Sequence, residues 1–287
     1  MARPPHIKVP AIRPGRKREI AELAEAIADE HFPDSQRVDP LQIAEANDMT
    51  YSIGDYGDAF DGMLEVQADH FHIYCNRERC GDIDKPRTRF TIAHELGHYY
   101  IDEHRHTLLA GDAEAHQSIC DSQSPLLVEQ EADLFAANLL MPSKRFIKAG
   151  RRVQRGLAGV ISLANRFATS LTSTALRYAE LELLPCAVIK WSWKGYSWKK
   201  LSSSTFDARF RRTIESPDQL AEGSPTRLAL AHEPMPERGF LEAGTTASAW
   251  FKSVTYADDR NTILMEQAIS LGKYGILTML WPEAGRY

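Results

Sequence analysis

Apolar positions change their period along the chain, and the changes mark out its elements. From Arg16 to Phe32, Ile20, Leu23, Ala24, Ile27 and Ala28 recur at helical spacing until Pro33 closes the pattern. A shorter helix is expected from Pro40 to Asn47, with Leu41, Ile43 and Ala44 inward. Between Phe60 and Asn76 the period falls to two: Phe71, Ile73 and Cys75 alternate with His72 and Tyr74, after Met63, Leu64 and Val66, which predicts a hairpin or meander. Helical spacing returns in Phe90, Ile92, Ala93, Leu96, Tyr99, Tyr100 and Ile101. It returns again from Leu126 to Met141, where Leu127, Leu134, Phe135, Ala136, Leu139 and Leu140 form an apolar face and Pro142 follows. Arg105 to Ser124, with Gly111 and His116, keeps no period and reads as a loop over a cleft.

Residues 143 to 183 hold further helical patterns, and LANRFATSLTSTALRYAEL reads as helix, turn and capped helix. From Cys186 the character changes to strands: CAVIKWSW, Gly195 and YSWKKL form a predicted hairpin. Strands are also expected over Ala247 to Tyr256, Ile263 to Ile269 and Tyr274 to Trp281, with Gly272 and Lys273 turning the last pair. The prolines and glycines of Glu215 to Gly244 predict a loop-rich stretch, and those near the start predict an irregular arm over residues 1–14.

One helix carries chemistry. His94-Glu95-Leu96-Gly97-His98 is an HExxH pentapeptide, and at 3.6 residues per turn His94 and His98 lie one above the other, able to offer two imidazoles to one ion. Glu95 sits one step round, where a carboxylate reaches a water on the metal without ligating it, the general-base position of metalloproteases. An extended peptide substrate could add to a sheet edge supplied by the strand feeding this helix. His70 and His72 also share one strand face, but beside a complete HExxH they read as ordinary strand residues.

Two histidines do not hold zinc, so a third ligand is needed. His104 lies six residues after His98, the spacing of the elongated HExxHxxGxxH site, but Ile101 stands where that motif has its turn glycine, and a β-branched residue suits such a turn poorly. His104 is therefore read as a polar residue on the following turn. An acidic residue on the second helix would complete a His, His, Glu set. Glu129 and Asp133 are four apart and share a face, so Glu129 is expected as the ligand and Asp133 as its companion carboxylate, supporting a ligating imidazole. Glu131 is the runner-up, along the Phe135 face expected to be buried.

The two stretches RTRFTIAHELGHYYIDEH and VEQEADLFAANLLMP together resemble the ImmA/IrrE family of metallo-endopeptidases over roughly residues 15 to 150. That resemblance implies zinc at His94, His98 and Glu129, with Mn2+ or another divalent metal as alternatives, and Glu95 as the catalytic glutamate. It implies a protease that cleaves a helix-turn-helix repressor of phage-like, mobile-element or stress-response genes. The expected fold class is α+β. Its domains would be an arm over 1–14, a zincin-like metallopeptidase domain over 15–142, a helix-turn-helix-like segment over 143–184, and a β-rich, GAF-like domain for sensing or partner binding over 185–287. The alternative is a DNA-binding transcriptional regulator using the zincin fold as a scaffold, against which the intact Glu95 argues.

Composition narrows the classes further. With 34 Lys and Arg against 39 Asp and Glu in 287 residues, a net charge of −5 gives no global argument for nucleic-acid binding. Arg151, Arg152, Arg155, Arg166 and Arg177 could meet phosphates, but a solvated helix face is the simpler account, and DNA binding is not favoured. Trp191, Trp193, Tyr196 and Trp198 could stack bases or cap a pocket, but core and sheet packing explains them more cheaply. No apolar run has the roughly 18 residues of a membrane span and the start has no signal-peptide core, so a cytoplasmic protein without membrane contact is expected. Cys75, Cys80, Cys120 and Cys186 make no CxxC pair and are expected as reduced, partly buried thiols.

Overall fold

Proline at the first helical position pre-sets φ for α1 (Pro14–His31) and α2 (Pro40–Ala46), and Asp39 caps α2 by accepting from the Leu41 amide at 3.1 Å. The structure, a computed structural model, describes residues 11–67, 70–110, 116–118, 126–201, 206, 209–232, 234–235, 239–255 and 257–283. The chain divides into two units: residues 1–146 with 166–170, and residues 147–165 with 171–287.

In the first unit, the alternating stretch forms β2 (Gly62–Gln67) and β3 (His70–Asn76), paired antiparallel with Gly62 opposite Cys75. A strand that alternation did not announce precedes them: β1 (Thr50–Gly54) runs parallel to β3, and none of its residues is fully buried, so its pattern is weak. The short helix α3 (Arg77–Cys80) leads to the HExxH helix α4 (Pro86–Tyr100), again opened by proline. Beyond it come α5 (Asp102–Leu109), β4 (His116–Ser118) and α6 (Leu127–Leu140). The sheet order is β1-β3-β2-β4. α1, α2, α4, α6 and the inward faces of β2 and β3 share one core that includes Ile20, Ile43, Leu64, Ile73, Ile92, Leu96, Phe135 and Leu139.

Several expectations for this unit need correction. The stretch read as a loop, Arg105 to Ser124, holds the later part of α5, which begins at Asp102, and β4. Asp102 and Glu103 in the first turn of α5 complement the helix dipole, a signal its weak apolar period concealed, and β4 owes its form to pairing with β2. The rest of that loop, residues 111–115 and 119–125 with Cys120, lies outside the described residues, as do residues 1–10 of the arm. β3, the strand leading toward α4, is interior, and the edge strands of this sheet among the described residues are β1 and β4, the latter covering β2 over Gly62–Leu64.

Three helices follow α6: α7 (Ser143–Gly150), α8 (Leu157–Phe167) and α9 (Leu171–Glu180). The turn between α8 and α9 uses Ala168 at φ 53°. Arg177, one of the phosphate candidates, is buried and paired with Glu180 Oε2 at 3.2 Å, so it is not displayed to a ligand.

The second unit is built on the antiparallel sheet β6-β5-β11-β10-β8, from β5 (Ala187–Ser192), β6 (Gly195–Leu201), β8 (Leu241–Thr246), β10 (Ile263–Ser270) and β11 (Ile276–Pro282). A second sheet pairs β7 (Phe210–Thr213) with β9 (Phe251–Val254). The strand expected from Ala247 opens instead as a helical turn, Ala247–Trp250, which buries Trp250 against Trp191 at 6.1 Å between rings. The expected loop 215–244 contains the helix Pro225–Leu230, capped by Ser224, and the start of β8. Trp191 is core, as the packing argument anticipated, whereas Trp193 is exposed and stacks on His232 at 4.5 Å. Among the described residues no helix is long and apolar enough to cross a membrane.

Candidate metal centre

The site is made by the crossing of α4 and α6. A Cβ added to Gly97 would lie 3.1 Å from Ala132 Cα and 3.3 Å from both Ala132 O and Phe135 Cβ, so glycine lets the two backbones touch. Glu129 lies one turn before Ala132 and is carried by this approach against both histidines. His94 Nε2 is 3.1 Å from His98 Nε2 and 3.3 Å from Glu129 Oε2, and His98 Nε2 is 3.5 Å from Glu129 Oε1. One donor atom from each of the three residues lies within 4.8 Å of the others, and all three are buried.

These separations fit a metal ion. Three ligands each about 2.1 Å from one tetrahedral ion lie about 3.4 Å apart, close to the spacing found, and two imidazoles with one carboxylate are a zinc donor set. Asp133 Oδ1 sits 2.8 Å from His94 Nδ1, which leaves Nε2 for the cluster. Burial opposes a charge on His94, but the Asp133 and Glu129 carboxylates outweigh it and hold the imidazole pKa up to about 10.

Glu95, one residue from His94, is fully buried. Strand β2 passes directly over it: a Cβ on Gly62 would fall 2.5 Å from Glu95 Oε1 and 2.5 Å from Thr91 Cγ2. A glycine inside a strand pattern is the sign of such an approach, and sequence reasoning passed over it. The preceding residue anchors the strand, for the buried Asp61 takes Arg79 Nε at 2.6 Å and Arg87 Nη2 at 2.8 Å.

The remaining candidates lie outside the cluster. Glu131 is not buried in the Phe135 face; it turns to Arg16, whose Nη2 and Nε lie 3.0 and 3.2 Å from Oε2, and the Glu131 carboxylate raises the guanidinium pKa despite burial. His104 is in α5 but, unlike the turn residue expected, it is 8% exposed and its ring lies 5.1 Å from that of His98. The physical reason is at Ile101. Its φ of −79° and ψ of 111° form an extended break between α4 and α5, a conformation a β-branched residue favours, so the chain folds back without glycine. His72 is used within the sheet, Nδ1 lying 2.6 Å from Thr50 Oγ1 and Nε2 3.0 Å from Ser52 Oγ. Cys75, Cys80 and Cys186 are buried and are not joined in disulfides.

An HExxH helix crossed by a second helix that brings a glutamate to both histidines defines a metallopeptidase-type centre. Residues 82–178 match the model of a peptidase family described as the IrrE N-terminal-like domain, which bears out the ImmA/IrrE resemblance over that stretch. A solved Mycobacterium tuberculosis transcriptional regulator is similar over 93% of this chain and 82% of its own, with a TM-score of 0.55 and 13% identity, a likeness of fold alone. No curated protein matches the chain.

Proposed function

We propose that the chain is a zinc-dependent endopeptidase that hydrolyses a peptide bond in a regulatory protein, with a helix-turn-helix transcriptional repressor as substrate. The observation that carries this reading is the buried meeting of His94, His98 and Glu129 beside Glu95. The first three would hold the ion. Zinc, when bound, polarises the scissile carbonyl and acidifies water. Glu95 accepts the proton of the attacking water and returns it to the amine nitrogen as the C–N bond breaks, leaving a carboxylate and an amine. Asp133 fixes the His94 ring through Nδ1, and the Gly62 backbone limits where the Glu95 carboxylate can move. The family match supports a peptidase, while the repressor as substrate is supported by the ImmA/IrrE resemblance. A purely scaffolding role in a DNA-binding regulator would leave the buried Glu95 without a task.

The test is incubation of the purified protein and zinc with repressors encoded beside it, with products read by mass spectrometry. Cleavage is expected to stop on chelation and in Glu95→Gln, which keeps the shape of glutamate and the bound zinc but cannot take the proton. A Glu95→Gln protein that cleaves at the wild-type rate removes Glu95 from the mechanism, and zinc-loaded protein that leaves every such repressor intact counts against the substrate.

A further inference from the structure

Asp61 is fully buried, and its carboxylate is not part of the metal cluster. Oδ1 takes Arg79 Nε of α3 at 2.6 Å, and Oδ2 takes Arg87 Nη2, from the first turn of α4, at 2.8 Å. Its backbone is held as well: the amide donates to Ser118 O of β4 at 2.8 Å, and the carbonyl accepts from the Asn76 amide at the end of β3 at 2.9 Å. One residue thus ties two helices and two strands at the point where β2 begins. An ion pair buried in this way gains little over apolar packing of the same volume, but it can specify which atoms meet.

The residue that follows is Gly62, against which Glu95 and Thr91, one turn apart on α4, are packed. A Cβ at Gly62 would stand 2.5 Å from Glu95 Oε1 and 2.5 Å from Thr91 Cγ2, so there is no room even for a methyl group, and a small shift of β2 changes the space left to the carboxylate. Arg87 lies on the same helix as Glu95, about two turns earlier. The Arg87–Asp61 pair therefore fixes β2 against the helix that carries Glu95. We propose that Asp61 is a positioning residue for Glu95: by holding the start of β2 to α3 and α4 it sets the Gly62 backbone against the carboxylate and confines Glu95 to the place from which it takes the proton of the attacking water. Asp61 itself touches no reacting atom. The proposal rests on reading His94, His98 and Glu129 as a metal centre with Glu95 as its base.

Zinc affinity, by competition with a chromophoric chelator, and the visible spectrum of the Co2+ form are measured for the full-length protein, for Glu95→Gln as the reference, and for Asp61→Asn, Arg87→Gln and Arg87→Lys. Asp61→Asn keeps the shape of the side chain and removes its charge. Arg87→Gln removes one partner of Asp61 at a side chain that is only partly buried, and it is the deciding variant if Asp61→Asn does not fold. Both are expected to bind zinc as tightly as wild type, because all three ligands remain, and to shift the Co2+ bands in the direction of Glu95→Gln. Arg87→Lys, which can still offer an N–H to Oδ2, is expected to return the wild-type spectrum. A role in fold stability alone would lower the melting temperature and leave the spectrum unchanged, and that result overturns the proposal. It is also overturned if lysine does no better than glutamine, or if the variants lose zinc, which would place the effect on the ligands instead of on Glu95. A wild type that binds neither ion, or a Glu95→Gln spectrum identical to that of wild type, would instead remove the reading of the centre on which the proposal stands.

Discussion

At the scale of single residues, Glu129 and Asp133 stand one turn apart on α6 and meet different atoms. Glu129 faces both Nε2 atoms, whereas Asp133 touches only the back of His94. A buried carboxylate costs several kcal/mol unless matched by positive charge, so the burial of Glu129, 5% exposed, suits the proposed cation site. On the proposed assignment, Glu129→Ala abolishes tight zinc binding, while Asp133→Ala keeps all the donors and loosens one ring, a loss of roughly 10- to 100-fold. Equilibrium titration of the two variants distinguishes the roles. Equal losses would mean that Glu129 is not itself a ligand.

At the scale of elements, the contact between α4 and α6 is set by Gly97. Replacing glycine by alanine in a helix gains up to about 1 kcal/mol of propensity, which is set here against an added methyl 3.1 Å from Ala132 Cα. Gly97→Ala should therefore be close to neutral. Gly97→Val adds branching that the contact cannot take; it is expected to cost about 1–3 kcal/mol and to weaken zinc binding as Glu129 is pushed from the histidines. Thermal melts with and without zinc give both quantities. A Gly97→Val protein with wild-type zinc affinity would show that Glu129 does not depend on this contact.

At the scale of the whole molecule, each unit has its own core, and the second is held around a buried carboxylate. Glu266 accepts from Ser224 Oγ at 2.6 Å and the Thr226 amide at 2.9 Å on one oxygen, and from Trp250 Nε1 at 2.8 Å on the other. Glu266→Ala leaves those donors buried without an acceptor and should lower the stability of the second unit by about 3 kcal/mol. Zinc affinity should be unchanged, because the metal cluster lies wholly in the first unit. Calorimetry alongside zinc titration checks this, and a parallel fall in both would show that the units are not energetically separate.

What the sequence determined by itself is whatever is local. The periods of α1, α4 and α6, the alternation of β3, the placing of two imidazoles by an i, i+4 repeat, and Glu129 with Asp133 on one helix face all follow from helix and strand geometry over a few residues. What only the tertiary structure decided is whatever depends on distant segments meeting. β1 and β4 exist through partners in β3 and β2, since their own patterns are too short or too mixed to announce a strand. The role of Gly62 depends on a strand crossing Glu95 more than thirty positions away in sequence, and the setting of His104 depends on an extended break at Ile101 and on Arg16 arriving from the first helix. Side-chain spacing reports which residues share a face, whereas the packing of faces from separate helices determines which of them share a site.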